Sequence, residues 1–280
     1  MPWPRETEGG AAVQPDDFPE IDTHTASVAR VYDFMLGGTD NYEVDRQACE
    51  VLEDMMPGSY AMTRNNRRYL ERVVHYLAAE CGIRQFIDNG SGLPTQNNVH
   101  QVAQQAAPGA KVVYVDLDPV VLAHGRVKTL VAEDKSTAFI EADVCDPERI
   151  LSHPDTQRLI NFHEPVGALY VSFLHCIPDD RDPGGVVRQV VDSLAPGSYL
   201  AISHLTADDP QVRDRITTLG LNAFGGHWGR VRSREEVAAF FDGLELVPPG
   251  LVKVNEWHPD GREEPDSPEL FEYGGVARKP

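Results

Sequence analysis

Three aspartates stand where side chains can meet a bound ligand. Asp88, Asp116 and Asp143 each end a short apolar stretch, and Asp88 opens the turn Asp88-Asn-Gly-Ser-Gly92. Glycines in such a turn let the backbone approach a ligand closely, because no Cβ stands in the way. In open α/β sheets, ligands bind beyond the carboxyl ends of the strands. If the three stretches are parallel strands, the carboxylates therefore line one site.

These carboxylates suit a nucleoside that is not negatively charged. Asp88 can meet the cationic amino group of a methionine moiety, Asp116 can accept hydrogen bonds from both ribose hydroxyls, and Asp143 can accept from an adenine amino group. A lone Gly-x-Gly turn is often only a turn, and strand-end aspartates often cap helices, but their joint order favours S-adenosylmethionine as the cofactor. The predicted cofactor contacts are Asp88, Asn89, Gly90, Ser91, Gly92, Asp116, Leu117, Asp143, Val144 and Ser172.

The rival enzyme class is a dinucleotide-dependent oxidoreductase, whose fingerprint is G-x-G-x-x-G/A. In this chain the corresponding segment is Gly90-Ser-Gly-Leu-Pro-Thr95. Thr95 adds bulk where close helix packing needs a small residue, and Pro94 removes an N–H that a pyrophosphate would use. The turn therefore favours an adenosyl cofactor over NAD(P).

Two histidines follow later predicted strands and are candidates for moving a proton. His175 follows the fourth strand and is the predicted general base, because imidazole titrates near neutrality. His204 follows the fifth strand and is assigned to the acceptor side of the site. In the structural alternative, each histidine caps a loop or packs against a helix. No His, Cys and Asp cluster has metal-ligand spacing, so no metal is predicted.

The segments that must position these residues alternate between strands and helices. This alternation predicts an α/β fold with a doubly wound, Rossmann-like sheet. Apolar stretches at 85–88, 111–116, 137–143, 166–173 and 198–203 are the five predicted parallel strands. The end of the chain adds two strands joined by a loop without a crossover helix. A seven-stranded, mostly parallel sheet with an antiparallel last strand follows.

The N-terminal part is predicted to be an addition to this sheet. Residues 1–22 are predicted to be a flexible tail, 23–82 a helical lid, and 83–280 the catalytic domain. Around the Gly37-Gly38 break, Tyr32, Asn41 and Tyr42 are expected to close over the cofactor or to contact the substrate. The alternative is that the aromatic residues only join helix to helix.

Five segments carry a resemblance to a known family. They are Ala29-Arg-Val-Tyr-Asp-Phe-Met-Leu-Gly-Gly-Thr-Asp-Asn-Tyr42, Arg64-Asn-Asn-Arg67, Ile83-Arg-Gln-Phe-Ile-Asp-Asn-Gly-Ser-Gly-Leu-Pro-Thr95, Val112-Val-Tyr-Val-Asp116 with Asp118-Pro119, and Leu194-Ala-Pro-Gly-Ser-Tyr199. The sequence resembles class I S-adenosylmethionine-dependent methyltransferases and, more narrowly, an actinobacterial family of S-adenosyl methyltransferases with mostly unassigned substrates. This resemblance implies the class I fold and the cofactor, but no substrate. The chain departs from the family at Asn89, where an apolar residue is usual.

Net charge and cysteine content limit the classes of binding partner and the cellular compartment that are expected. The formal net charge of -19 opposes binding to nucleic acid, so a small-molecule acceptor is expected. Four cysteines without a CxxC pair fit reduced thiols. No signal peptide and no membrane-spanning stretch is predicted, which suggests a cytoplasmic protein. The oligomeric state is not predicted. A non-enzymatic alternative is a regulatory protein that binds the adenosyl cofactor without turnover.

Overall fold

The chain folds around one mixed sheet with helices on both faces. The computed structural model describes residues 22–280 except 96, 132–134 and 268, so all but residue 22 of the predicted tail lies outside the described residues. The helices are α1 (Val28–Met35), α2 (Glu43–Met55), α3 (Ser59–Ala79), α4 (Val99–Ala106), α5 (Pro119–Val131), α6 (Pro147–Ser152), α7 (Pro154–Leu159), α8 (Pro183–Ser193), α9 (Pro210–Phe224) and α10 (Arg234–Ala238). Within this described part, no helix is long and apolar enough to cross a membrane.

The strands confirm a mostly parallel sheet with an antiparallel last strand. They are β1 (Gln85–Asn89), β2 (Lys111–Asp116), β3 (Thr137–Glu141), β4 (Gly167–Val171), β5 (Tyr199–Thr206), β6 (Glu245–Leu246), β7 (Val252–Lys253) and β8 (Phe271–Arg278). Their order is β3-β2-β1-β4-β5-β8-β6, and β7 also pairs with β8. Strand β8 is antiparallel to β5, β6 and β7. The described strands number eight instead of the predicted seven. The segment before β8 contributes two separate two-residue strands, β6 and β7, and each pairs with β8.

The central strands separate two apolar layers. Every residue of β1 is buried, as expected for a parallel strand covered on both faces. Ile87 packs in the layer that contains Val187 of α8, whereas Phe86 packs in the layer that contains Val73 of α3. At Gly167 of β4, a Cβ would collide with the ring of Phe86. Glycine at this position therefore lets the phenyl ring fill the space beside β4.

Helices α6 and α7 lie between β3 and β4, where the sequence analysis predicted no element. Each has six residues, which is too short to show a helical period, and each begins with a proline. The carboxylate of Asp146 caps α6 by accepting from the Arg149 amide, and the His153 ring caps α7 by accepting from the Asp155 amide. Their signal in the sequence is the cap followed by proline.

The N-terminal helices divide between two places. Helix α3 packs on the sheet beside α4, so it is part of the apolar layer. Helices α1 and α2 instead pack against α9 and the carboxyl end of β5, in a cluster that includes Val31, Cys49, Leu205 and Ile216. The predicted boundary at residue 82 therefore groups α3 with α1 and α2, although their packing differs.

A buried ion pair joins α1 to α2. Arg30 Nε lies 2.8 Å from Asp45 Oδ2, with the two side chains only 5% and 0% exposed. Asp45 also accepts hydrogen bonds from the amide of Tyr42 at 2.8 Å and from the amide of Ser27 at 3.0 Å. One carboxylate thus fixes the start of α1, the start of α2 and the guanidinium between them.

We expect Asp45→Ala to lower the free energy of unfolding by about 3–5 kcal/mol, because it leaves the buried charge of Arg30 without its partner. Urea unfolding followed by circular dichroism measures this loss. Glu43→Gln is the matched control, because the Glu43–Arg46 pair lies on the surface of the same helix. The control should unfold like the wild type, and equal stability of the two variants would contradict the role given to Asp45.

Candidate active site

The turn after β1 is shaped by two glycines in the left-handed region. Gly90 has φ 72° and Gly92 has φ 65°, which glycine adopts without strain. A Cβ at Gly90 would collide with the ring of Phe173, which follows β4, whereas a Cβ at Gly92 would meet no atom of the described structure within 4 Å. The turn is therefore packed against the protein at Gly90 and open at Gly92.

The first two strand-end loops are joined directly through Asp116. Its Oδ2 accepts from the Gly92 amide at 2.9 Å, and its Oδ1 accepts from the Asp118 amide at 2.9 Å. Burial raises the pKa of Asp116, although these amides act in the opposite direction. A carboxylate has about four acceptor positions, so further donors can still bind. The neighbouring Leu117 side chain is 53% exposed and offers an apolar surface at the same edge.

Asp88 lies near the carboxyl end of β1, within electrostatic range of Arg67 on α3. The side chain is buried, and burial raises its pKa to about 7, while the charge of Arg67 on α3 lowers it and that of Asp116 raises it. A carboxyl group with a pKa near neutrality gains from any cation that enters beside it. The position suits a ligand that carries a positive group.

Asp143 lies two residues beyond the end of β3, not at its last residue as predicted. Its Oδ1 accepts from the Cys145 amide at 2.8 Å, and its Oδ2 pairs with Arg181 Nη2 at 2.7 Å. Partial burial would raise the pKa of Asp143, but the Arg181 and Cys145 hydrogen bonds outweigh it and lower the pKa. The Val144 side chain is buried in the core. Arg181 is a neighbour of Asp143 that no motif in the sequence indicates.

Asn89 and Ser91 hold polar atoms inside the turn. Asn89 Nδ2 donates to the carbonyl of Leu169 at 3.2 Å, which extends the contact between β1 and β4. The Asn89 Oδ1 and Ser91 Oγ atoms are buried and have no hydrogen-bond partner within the described residues. Together with the open face of Gly92 and the exposed Leu117, an unpartnered buried hydroxyl fits a site for a polar, partly apolar ligand such as the predicted cofactor.

The start of α1 contacts the loops that follow β1 and β2. Ser27 Oγ donates to Asp118 Oδ2 at 2.7 Å. Ala29 packs against Leu93 of the β1 loop and Val120 of α5. These contacts place the N-terminal segment beside both strand-end loops.

The three predicted lid residues have different surroundings. Asn41 Nδ2 donates to Asp33 Oδ2 at 3.0 Å and to the Gly38 carbonyl at 3.1 Å, so it shapes the loop between α1 and α2. The Tyr42 ring lies under the Arg30 guanidinium, 5.1 Å from its centroid. Tyr32 is half-buried, and its hydroxyl accepts from Asn66 Nδ2 at 2.8 Å.

The two candidate histidines lie together in a buried cluster. The rings of His175 and His204 are 5.3 Å apart, and the Trp228 ring lies 5.1 Å from His175. Burial, followed by the charge of Arg232, lowers the pKa of His175 to about 3; burial also lowers that of His204 well below its usual value. His204 Nε2 lies 3.3 Å from Arg232 Nη1. Neutral, weakly basic rings in this packing resemble the structural alternative more than a general base.

A polar cluster lies at the carboxyl ends of β4 and β5. Ser172 in this cluster is one of the predicted cofactor contacts, whereas Glu272 and Asn66 are not predicted site residues. Ser172 Oγ donates to Glu272 Oε1 at 2.6 Å, and Ser203 Oγ donates to Asn66 Oδ1 at 2.6 Å. Glu272 is 1% exposed. Its signal in the sequence is a lone acid inside the apolar segment 270–277, and that of Asn66 is its place within Arg64-Asn-Asn-Arg67.

Other parts of the described surface offer less chemistry. A cleft lined by Lys111 and Phe162 lies at the amino end of β2, opposite to the strand-end loops. Among the described residues, no three His, Cys, Asp or Glu side chains converge in a way that could hold a metal ion.

Known proteins similar to this chain show its family. The family model described as S-adenosyl methyltransferase matches residues 15–280. A crystal structure of a proposed methyltransferase from Thermobifida fusca YX is 42% identical, with a TM-score of 0.83, over 91% of this chain and 95% of that one. A DUF574 family protein from Streptomyces avermitilis is 39% identical, with a TM-score of 0.87, over 93% of this chain and 100% of that one. Among curated proteins none matches.

A more distant structure shares the fold alone. Magnesium protoporphyrin IX methyltransferase from Synechocystis, solved with bound S-adenosylhomocysteine, is 13% identical, with a TM-score of 0.51 over 89% of this chain and 93% of that one. The family match decides between the methyltransferase prediction and its regulatory and oxidoreductase alternatives. The chain therefore belongs to the S-adenosyl methyltransferase family and is an S-adenosylmethionine-dependent methyltransferase with a Rossmann-like fold.

Proposed function

We propose that the enzyme methylates a small molecule at the carboxyl edge of its sheet. The observation that carries this proposal is the Gly92–Asp116 hydrogen bond at 2.9 Å, which joins two strand-end loops around an open glycine and an exposed Leu117. S-adenosylmethionine supplies the sulfonium methyl group, which the acceptor takes by in-line displacement. The protein contributes chiefly by holding the two reactants in line.

Each predicted contact has a part in this proposal. Asp116 accepts from the ribose hydroxyls, and Leu117 packs on the adenine ring. Asp88 meets the ammonium group. Asp143 and the Val144 amide receive the polar edge of adenine. The remaining contacts, Asn89, Gly90, Ser91, Gly92 and Ser172, form the turn and the wall beside the methyl group.

The N-terminal segment is proposed to act as the lid. Its support is the Ser27–Asp118 hydrogen bond and the packing of Ala29 on Leu93, because both contacts lie on loops that the cofactor would touch. Asn41 and Tyr42 act by shaping this segment, since their side chains bind within it. Tyr32 is the lid residue closest to the acceptor side, because it bonds to Asn66.

The acceptor and the compartment are proposed from charge and cysteine chemistry. A net charge of -19 repels nucleic acids, and a neutral or cationic small molecule meets no such barrier. All four cysteines are free, which suits the reducing cytoplasm.

Calorimetric titration with S-adenosylmethionine and S-adenosylhomocysteine tests the cofactor residues. We expect Asp116→Ala to bind both compounds about 10- to 100-fold more weakly, because hydrogen bonds to a charged group contribute about 1.5–3 kcal/mol. Asp192→Ala, which removes an exposed carboxylate on α8, is the control and should bind like the wild type. Unchanged affinity of Asp116→Ala would remove Asp116 from the site.

Cofactor affinity should also depend on pH through Asp88. Its pKa is about 7 in the free protein, and the cofactor ammonium would stabilise the ionised form. Binding should therefore release a proton below neutrality, and affinity should rise about tenfold between about pH 6 and about pH 8. Calorimetry in buffers of different ionisation enthalpy counts the proton. Asp88→Asn should flatten the profile, and methylthioadenosine, which lacks the ammonium, should show a flat one in the wild type.

Transfer of labelled methyl groups tests the acceptor class. The enzyme is incubated with a cell extract and S-adenosylmethionine labelled at the methyl group, and the products are separated by size. We expect label in the small-molecule fraction, because the acidic protein does not attract nucleic acid. The Asp116→Ala variant is the control for background transfer. Label in protein or nucleic acid that depends on the wild-type enzyme would overturn the small-molecule proposal.

A further inference from the structure

Glu272 is a buried carboxyl group that the cofactor does not need. It is the second residue of β8, which runs antiparallel to β5, so it lies at the edge where the parallel strands end. It pairs in register with Leu205 near the end of β5 and is 1% exposed. Burying a carboxyl group costs free energy unless its oxygens are hydrogen-bonded. The burial of Glu272 at this edge of the sheet therefore suggests a functional role.

One oxygen of Glu272 is held by a residue in an unusual conformation. Ser172 has φ 54°, a left-handed value that is uncommon for residues other than glycine. Its amide donates to the Ser203 Oγ at 2.8 Å, and its hydroxyl donates to Glu272 Oε1 at 2.6 Å. Backbone strain of this kind is found preferentially at functional sites. The conformation of Ser172 thus holds the carboxyl group in one orientation.

The other oxygen is buried and has no partner. Glu272 Oε2 makes no hydrogen bond to any described residue. Buried polar atoms in folded proteins are nearly always bonded, so an unpartnered carboxyl oxygen is a position for a donor from outside the chain. A donor with an O–H or N–H group would complete the site.

A chain of polar groups leads from Glu272 to the lid. Ser203 Oγ donates to Asn66 Oδ1 at 2.6 Å, and Asn66 Nδ2 donates to the Tyr32 hydroxyl at 2.8 Å. Tyr32 belongs to α1 and is half-buried. Hydrogen bonds therefore connect the surroundings of the carboxyl group to α1, the proposed lid.

The charges of Asp116 and Glu272 both influence the pKa of one buried thiol, that of Cys176. Burial, together with the smaller effects of the Asp116 and Glu272 charges, raises the pKa of Cys176 to about 12. Both carboxylates therefore lie within electrostatic range of one side chain. Glu272 bonds to Ser172, which follows β4, and is in register with Leu205 of β5, so it lies at the β4–β5 part of this edge.

We propose that Glu272 binds the methyl acceptor through Oε2 and acts as the general base of the transfer. This inference rests on the proposed function. As the acceptor oxygen or nitrogen forms its bond to the methyl carbon, the S–C bond breaks with its electron pair remaining on sulfur. The acceptor proton passes to Glu272 Oε2. Products are the methylated acceptor, S-adenosylhomocysteine and a protonated Glu272, which then returns the proton to solvent.

The proposal selects a chemical class of acceptor. A carboxylate accepts hydrogen bonds only, so the acceptor must present a hydroxyl or an amino group. An anionic acceptor would meet the Glu272 charge in a buried place and would be rejected. Hydroxyl and amino compounds whose reacting oxygen or nitrogen is uncharged when it attacks therefore fit, whereas carboxylate acceptors do not.

Probe binding to the protein saturated with S-adenosylhomocysteine tests the proposal without a known substrate. The probes are benzylamine, phenol and benzoate, measured by saturation-transfer NMR and calorimetry. We expect benzylamine and phenol to bind and benzoate not to bind. Glu272→Gln should weaken the binding of benzylamine at least fivefold. Glu269→Gln, a surface glutamate paired with Arg215, is the control and should change nothing.

The pH dependence separates an acceptor site from a merely structural carboxyl group. Burial raises the pKa of Glu272 to about 7, and the hydrogen bond from the Ser172 hydroxyl acts in the opposite direction. Benzylamine affinity should therefore rise about tenfold between about pH 6 and about pH 8, and Ser172→Ala should move this rise to higher pH.

Four other titratable groups face Glu272 and need controls. Tyr32 on α1, Tyr69 on α3 and Cys176 after β4 have pKa values raised by burial, so they stay neutral over this range. Asp266, in the loop before β8, raises the pKa of Glu272, so Asp266→Asn should move the rise to lower pH.

The outcomes distinguish the two proposals. If S-adenosylhomocysteine does not bind the wild type, the cofactor site itself is misplaced. If it binds, three results would each overturn the role of Glu272: no bound amine or phenol, benzoate bound as well as benzylamine, or benzylamine affinity unchanged in Glu272→Gln. If Glu272→Gln fails to fold, Ser172→Ala gives the decision, because an unmoved pH profile would also overturn the proposal.

Discussion

The hydrogen bond from the Gly92 amide to Asp116 is the contact on which the site depends. It ties the turn after β1 to the end of β2 at 2.9 Å, in a turn where Gly90 and Gly92 both have positive φ. The Phe173 ring fills the place of a Cβ at Gly90 and so connects this turn to β4. Three neighbouring strands are thereby held at one edge. Asp88, Asp116 and Leu117 keep fixed relative positions because the backbone beneath them is bonded.

Buried polar contacts also hold together the N-terminal helices α1 and α2, which form the proposed lid. Asp45 gathers the Arg30 guanidinium and two amides into one buried cluster, which makes α1 and α2 a stiff unit. That unit meets the sheet through Ser27 at Asp118, next to the carboxylate that receives the Gly92 amide. A small movement of α1 would change contacts at both the cofactor loops and Tyr32. The proposed lid is therefore connected by hydrogen bonds to both proposed sites.

The fold could be predicted from the sequence where hydrophobic pattern decides it. Continuous apolar strands that end in an acid located Asp88 and Asp116, because a strand buried on both faces has no polar positions until it leaves the sheet. The short helices α6 and α7 escaped because six residues show no period. The surroundings of a side chain could not be predicted from the sequence either. His175 follows β4 as expected, but Trp228 and Arg232, far along the chain, enclose its ring. Glu272 looked like an ordinary residue of a strand, since its partners Ser172 and Asn66 come from distant segments.

Two carboxyl groups with pKa values near neutrality at one sheet edge have a common electrostatic consequence. In the proposals above, Asp88 meets the ammonium of the cofactor and Glu272 binds the acceptor; burial raises the pKa of each to about 7. Before transfer, a sulfonium and the Glu272 carboxylate are opposite charges separated by the acceptor. After transfer, the sulfur is neutral and Glu272 carries the proton, so the separated charges have disappeared. Water stabilises separated charges strongly, and a buried site does so much less. Excluding water beneath α1 therefore favours the products relative to the charged reactants. The burial that makes Glu272 costly in the free protein would in this way promote the reaction.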